Sequence, residues 1–365
     1  MLHQKYIDQF NKDVKESSRY KIKRIIGKGS YGIVFSATDI ESGDEVAIKK
    51  ISDVFRELDD SIRILRELKF LRLLKHPNLI NLRCILTPNP KYSFKDLYLV
   101  FERMDCDMKE MLKLNHDCLD SEHYRFFMFQ LLHGLDFLHH ANVFHRDMKP
   151  QNILINEGCE LKICDFGLSR MAYEGQQMDE NHLWTSYVCT RYYRAPEICG
   201  TNFFNYTKSI DIWAIASMFA ELYTGQPLFK GINGMDQLFV ILETLGKPKN
   251  DVLDKYYSPP LKRRILRHDV LSPLYIEELV GECKDQLALD LMYKMLDLDP
   301  SKRPSAKECL NHPYFEGAWE KYGVLYKDVK YVNIDPKEFA FESYVKSVDE
   351  IYLLFYREMQ LHRCD

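Results

Sequence analysis

A chain of 365 residues with 46% hydrophobic and 28% charged side chains has the make-up of an ordinary soluble globule and enough length for two lobes. Its 50 basic and 54 acidic residues leave a formal charge of -4, which excludes an overall field drawing it to nucleic acid or to an anionic membrane. No apolar run approaches the roughly 18 residues of a membrane span, and the opening MLHQKYIDQFNKD carries charges where a signal peptide needs an apolar stretch. The 10 cysteines include no C-x-x-C pair, so reduced thiols and a cytoplasmic or nuclear location are expected.

Residues 1–19 read as an extension. Over residues 20–50, apolar and polar side chains alternate around glycines (Tyr20, Ile22, then Val46, Ile48), the pattern of strands joined by tight turns. Asp59, Asp60 and Ser61 are expected to cap a helix bearing Ile62, Leu65, Leu68 and Leu71 on one face, and Leu97–Phe101 reads as a further strand. After Asp105 the period becomes helical, near His123–His139 and over 210–222, with strand signal confined to Asn152–Ile163. The Pro-punctuated basic stretch at 247–270 looks like an insertion, and Val348, Ile351, Tyr352, Phe355 and Met359 form the apolar side of a final helix. The expected fold is α+β, a small β-rich lobe followed by a larger, mostly helical one.

Gly27-Lys28-Gly29-Ser30-Tyr31-Gly32 fits G-x-G-x-x-G, which alone is equally a dinucleotide fingerprint or an ordinary turn. Val34 and then Val46-Ala47-Ile48-Lys49 on a strand change that, because a dinucleotide fold opens a helix directly after its glycines. Anionic phosphates need close backbone N–H groups, which Gly27, Gly29 and Gly32 permit, and a fixed ammonium, which Lys49 offers. A lysine among apolar strand neighbours needs a counter-charge. Glu67 on the 62–74 helix is the candidate, Glu57 a weaker one, and a solvated Glu67 the bland alternative.

His145-Arg146-Asp147-Met148-Lys149-Pro150-Gln151-Asn152 reads H-R-D-x-x-x-x-N, and Asp165-Phe166-Gly167 and Ala195-Pro196-Glu197 follow in order. Phosphoryl transfer needs one carboxylate to orient and deprotonate a hydroxyl, and a second with an amide to hold Mg²⁺. Asp147 is the candidate base, Asp165 and Asn152 the metal ligands, and Lys149 the group steadying the transferred phosphoryl. His145 is expected to be a packed strut, Phe166 core, Cys164 a small buried residue, and Glu197 a salt-bridge partner of Arg303.

These ordered motifs resemble the eukaryotic protein kinases over about residues 20–315. The resemblance implies a bilobal fold with ATP in the cleft, contacted by Ile26, Gly27, Lys28, Gly29, Ser30, Tyr31, Gly32, Val34, Ala47, Lys49, Asp107, Asn152, Leu154 and Asp165. Phe101 would be the gatekeeper, with Glu102 to Met104 as the hinge. It divides the chain into a small lobe and hinge at 20–104 and a large lobe at 105–315, with an activation segment at 165–197 and an insertion at about 247–275; an extension at 316–365 follows. Thr185-Ser186-Tyr187 and the run to Glu197 are similar to the lip of mitogen-activated protein (MAP) kinases, as is the tail EFAFESYVKSVDEIYLLFYREM.

By that resemblance Thr185 and Tyr187 are regulatory phosphosites; Arg66, Arg146 and Arg170 would hold the first phosphate, and Arg191 and Arg194 the second. The implied partners are protein substrates with Ser-Pro or Thr-Pro sites, an upstream kinase and phosphatases, acting on a monomer. The rivals are a pseudokinase scaffold, which usually lacks one of Lys49, Asp147, Asn152 or Asp165, and a cyclin-dependent-like kinase needing a partner subunit.

Overall fold

Alternating apolar residues between residues 20 and 102 build an antiparallel sheet from β1 (Tyr20–Gly29), β2 (Gly32–Asp39), β3 (Glu45–Ile51), β4 (Leu82–Ile85) and β5 (Leu97–Glu102), ordered β1-β2-β3-β5-β4. The computed structural model describes residues 2–29, 32–89, 94–171, 191–199, 207–270, 276–281 and 283–362. The chain divides into two compact units, Met1–Asp105 with Cys164–Leu168 and Ile334–Asp365, and Cys106–Ile163 with Ser169–Asn333.

In the first unit, Phe35, Ala37, Val46, Ile48, Tyr98 and Val100 form a core cluster. The residues read only as an extension supply its cover: helix α1 (Leu2–Asp13) brings Phe10, and Val14 follows, both buried in that cluster. Helix α2 spans Leu58–Leu73 and starts earlier than its acidic residues suggested. Glu57 takes the extended N-cap position, Asp59 and Asp60 lie in the first turn where the helix dipole favours anions, and the Ser61 hydroxyl donates to the Val54 carbonyl at 2.6 Å. The final helix, Val348–Leu361, buries Ile351, Phe355 and Met359 and is N-capped by Ser347. Cys84 is disulfide-bonded, against the expectation of reduced thiols throughout.

The second unit is mainly helical. Helix α3 (Met108–Asn115) is capped by Asp107, α4 (Ser121–His140) opens with a capping box between Asp120 and His123, and α5 (Ser209–Thr224) ends at Gly225 with φ 66°. Strands β6 (Cys106–Asp107), β8 (Ile153–Ile155) and β9 (Leu161–Ile163) form one sheet, while β7 (Val143–Phe144) pairs with β10 (Arg170–Met171). Strand signal is thus wider than the expected Asn152–Ile163, because two-residue strands are too short to show alternation. The 247–270 stretch holds helices Asn250–Tyr256 and Pro259–Arg267, the second using proline at its start, where no N–H is required.

On α4, His133 is buried, stacked on Tyr326 at 3.9 Å and edge-on to Trp319 at 4.7 Å; its Nε2 meets no hydrogen-bond partner among the described residues. Burial pushes its pKa down to about 4. Between about 4 and the ordinary value of about 6.5 the unfolded chain binds the extra proton, so stability falls as pH falls through that window, by roughly 3 kcal/mol at most. Urea denaturation at pH 7 and at pH 4.5 should show this loss, and His133→Phe should remove part of it; an unchanged pH slope in that variant would refute the assignment.

Candidate active site

The glycine-rich turn depends on how closely two strands meet. Gly27 lies opposite Val34 and Gly32 opposite Ile51. Gly32 has φ 152°, and a Cβ there would sit 1.7 Å from the Lys50 carbonyl oxygen, so no other residue fits. Ile26 and Lys28 are exposed on β1, Gly29 ends that strand, and Ser30 and Tyr31 lie outside the described residues. Across β3 and β5, Ala47 faces Phe101 and Lys49 faces Leu99, while Lys49 also lies opposite Val34 of β2. Phe101 and Met104 are buried, and the Glu102 carboxylate accepts the Asn81 N–H at 3.0 Å.

Lys49 Nζ meets Glu67 Oε1 at 2.8 Å, so Glu67 is not a solvated helix residue, and Glu57 takes the N-cap position instead. Burial disfavours the ammonium, but the Glu67 and Asp165 carboxylates more than offset it and hold the Lys49 pKa above its ordinary value. Its neighbour Lys50 alternates to the other side of the strand, where it pairs with Asp96 at 2.6 Å and Asp13 at 3.7 Å. Asp165 adopts φ 67°, a conformation sparsely used by non-glycine residues, and its Oδ1 accepts the Gly167 N–H at 3.4 Å. Phe166 is buried near Phe70, whereas Cys164 is only half-buried, short of the burial anticipated for it.

In the second unit one carboxylate oxygen collects two donors: Asp147 Oδ2 accepts from Lys149 Nζ at 2.5 Å and from Asn152 Nδ2 at 3.0 Å. Asn152 Nδ2 also donates to the Asp147 carbonyl at 2.8 Å, and the Asn152 Oδ1 has no hydrogen-bond donor among the described residues. An amide oxygen and a carboxylate are each hard donors of the kind that suit Mg²⁺. His145 is fully buried and its Nδ1 accepts the Asp147 N–H at 3.3 Å, a strut's contact. Asp107 and Leu154 pair across β6 and β8. Burial raises the Asp107 pKa against the opposing hydrogen bond from Glu110.

The loop bearing Asp147 is held by a residue the motifs did not flag. Asp211 on α5 is buried and accepts from the His145 N–H at 3.0 Å and the Arg146 N–H at 2.9 Å, with His139 Nε2 at 3.1 Å. Burial opposes its charge, yet these partners hold its pKa below the usual range. They also fix Arg146 at φ 70°. A lone carboxylate in the apolar run SIDIWAIASMF was the available signal.

Arg303 meets Glu197 through Nη1 at 2.6 Å and Nη2 at 2.8 Å, both side chains buried. Arg191 donates to the Ile232 carbonyl, Arg170 to the Ser169 carbonyl, and Arg194 is buried. Arg66 is also buried. Its guanidinium grips Glu342 at 2.5 and 2.9 Å and donates to the Gly167 carbonyl at 3.1 Å. Lys69 and Arg72 on the same helix reach Glu338, each at 2.8 Å, and Arg72 reaches Glu358 at 2.6 Å. Thr185 and Tyr187 lie outside the described residues.

Residues 20–315 match the protein kinase domain family. The chain is 45% identical over 344 residues to mitogen-activated protein kinase 10 of Oryza sativa subsp. japonica, covering 94% of this chain and 55% of that protein. It is 44% identical over 351 residues to mitogen-activated protein kinase 9 of Arabidopsis thaliana, covering 96% and 67%. The chain thus spans between about half and two thirds of the length of these relatives. It belongs to the protein kinases, and within them to the mitogen-activated protein kinases.

Removing one partner of a buried ion pair strands the other, at about 3–5 kcal/mol. Glu342→Ala should therefore destabilise the chain by roughly 3 kcal/mol in urea denaturation, and the double variant Arg66→Met/Glu342→Leu should recover most of it. A loss under about 1 kcal/mol for Glu342→Ala would mean that Arg66 is satisfied without it.

Proposed function

We propose that this chain, a serine/threonine protein kinase of the MAP kinase class, transfers the γ-phosphoryl group of ATP to Ser-Pro and Thr-Pro sites in proteins, using Mg²⁺. The observation that carries the proposal is the Asp147 carboxylate, steered by Lys149 and Asn152 within one hydrogen-bond cluster. A lone surface aspartate has no such orientation. The bound nucleotide and metal supply the phosphoryl group and charge neutralisation.

Asp147 orients the acceptor hydroxyl and takes its proton as the new O–P bond forms. Lys149 balances charge on the transferred group, and Lys49, fixed by Glu67, anchors the phosphates. Asp165 and Asn152 are the residues that would hold the metal. Phe101 narrows the rear of the adenine pocket, and Ile26, Val34 and Ala47 line it from the first unit. The chain works as a monomer in the cytoplasm or nucleus under an upstream kinase and phosphatases.

Phosphorylation of Thr185 and Tyr187 is the proposed switch. The Thr185 phosphate pairs with Arg66, Arg146 and Arg170, and at Arg66 it must replace Glu342. The Tyr187 phosphate pairs with Arg191 and Arg194 and shapes the pocket that accepts proline.

Asp147→Ala and Lys49→Met should each lower kcat/KM by several orders of magnitude with the thermal midpoint little changed. Substantial turnover by folded Asp147→Ala would overturn the mechanism. On one Ser-Pro peptide at fixed ATP, the doubly phosphorylated chain should outpace the unmodified chain by orders of magnitude, and Ser-Ala in place of Ser-Pro should abolish most turnover. Equal rates for all phosphoforms would remove the switch, and equal rates for the two peptides would remove proline direction.

A further inference from the structure

The second unit contains a cavity of about 860 Å³ of which the proposal above uses only Arg191. Lys109, Lys113, His116, Arg191, Gln151 and Glu221 are among its lining residues. Lys109 and Lys113 stand four apart on α3 and therefore share a face, and both are exposed. Neither they nor Arg191 has a carboxylate within ion-pair distance among the described residues. The Arg191 guanidinium is steadied by its 2.8 Å bond to the Ile232 carbonyl, and His116 by one at 3.0 Å to the Leu222 carbonyl.

Glu221 is the one acidic side chain in the lining among the described residues, and it is already occupied: it is buried and accepts the Tyr193 hydroxyl at 2.7 Å. Burial also raises its pKa, despite the nearby Lys109 and Lys230. The cavity is thus a concave surface with two exposed ammonium groups, one anchored guanidinium and one carboxylate already hydrogen-bonded to Tyr193. Gln151 joins it to the segment carrying Asp147 and Lys149, so a polypeptide with its hydroxyl at Asp147 has neighbouring residues within reach of this cavity.

We propose that this cavity is a subsite for an anionic side chain, a carboxylate or a phosphorylated residue, close in sequence to the acceptor of the protein substrate. The proposal rests on the kinase reading and extends it to substrate choice. Lysines offer point charges rather than a bidentate fork, so the subsite selects for charge rather than for one carboxylate geometry. Its preference weakens with salt, as expected of solvent-exposed charges.

The test is a positional scan on a Ser-Pro peptide with the full-length chain in one phosphorylation state, placing Asp, Glu, phosphoserine, Ala or Lys at each flanking position in turn. At one or two adjacent positions an anion should raise kcat/KM roughly three- to tenfold over Ala, and Lys should lower it. Phosphoserine exceeding Asp and Glu would identify a previously phosphorylated substrate as the ligand, and equality would identify an acidic one. In Lys109→Glu/Lys113→Glu the order should reverse, with the Lys peptide preferred. Turnover of the Ser-Pro peptide with no dependence on flanking charge, or a dependence that survives the double reversal, overturns the subsite and leaves the kinase reading standing. No turnover of any peptide by folded protein overturns both.

Discussion

A half-buried ammonium on a β-strand is tolerable only beside a fixed carboxylate, and the 2.8 Å contact between Lys49 and Glu67 is the constraint around which the first unit is arranged. It requires α2 to stay at one distance from β3. Apolar packing supplies part of that, with Phe70 against Phe339 at 4.5 Å, and Leu65 and Leu68 fully buried. The rest is electrostatic. Arg66, Lys69 and Arg72 each end on a glutamate of residues 338–358, so the segment after the kinase match holds the helix that carries the Lys49 counter-ion. The final helix also ties back to the sheet, where the Ile85 N–H donates to the His362 carbonyl at 2.8 Å.

The second unit solves a different problem, that of holding a non-glycine residue at positive φ beside Asp147. Left-handed backbone at Arg146 is unfavourable by about 1 kcal/mol or more and needs compensation from its surroundings. Asp211 provides it by accepting two successive backbone N–H groups, which in turn places Asp147 for Lys149 and Asn152. One buried carboxylate on α5 therefore determines the shape of a loop 66 residues earlier in the chain.

What was legible in the sequence followed from local rules. Glycine spacing, strand alternation and the helical period revealed the strands over 20–50, the one at 97–101 and α2, because each depends on neighbours within a turn or a strand, and Lys49 and Glu67 were legible as charges on those elements. Asp211 and Glu342 were not legible for the opposite reason. Periodicity identifies which face is buried but never names its partner, and Arg66 lies 276 residues from Glu342. The amphipathic last helix was visible, whereas Glu358 on it looked like any charged residue among Tyr356, Arg357 and Met359. Helix α1 escaped because its charges outweigh the apolar face that Tyr6 and Phe10 present to the core. The stretch at 247–270 read only as a Pro-punctuated insertion, although Pro259, at the first position of a helix, is a starter.

The environment of Arg66 gives the proposed switch a definite electrostatic form. Arg66 is 1% exposed while Glu342 retains 16%, so the two ends of the pair are unequal: the carboxylate can return to water at modest penalty, and the guanidinium cannot be left alone. Any anion that replaces Glu342 must arrive as it leaves. A phosphate, with about -1.5 to -2 charges and three acceptor oxygens, can make that exchange and still satisfy further arginines, whereas a glutamate at the lip would merely trade one carboxylate for another. The gain from phosphorylation at this position is then the difference between two filled states rather than the filling of an empty one. Helix α2 keeps its anchor in both, so Glu342 preserves the Lys49–Glu67 spacing before modification, and what the phosphate adds is its link to the other arginines.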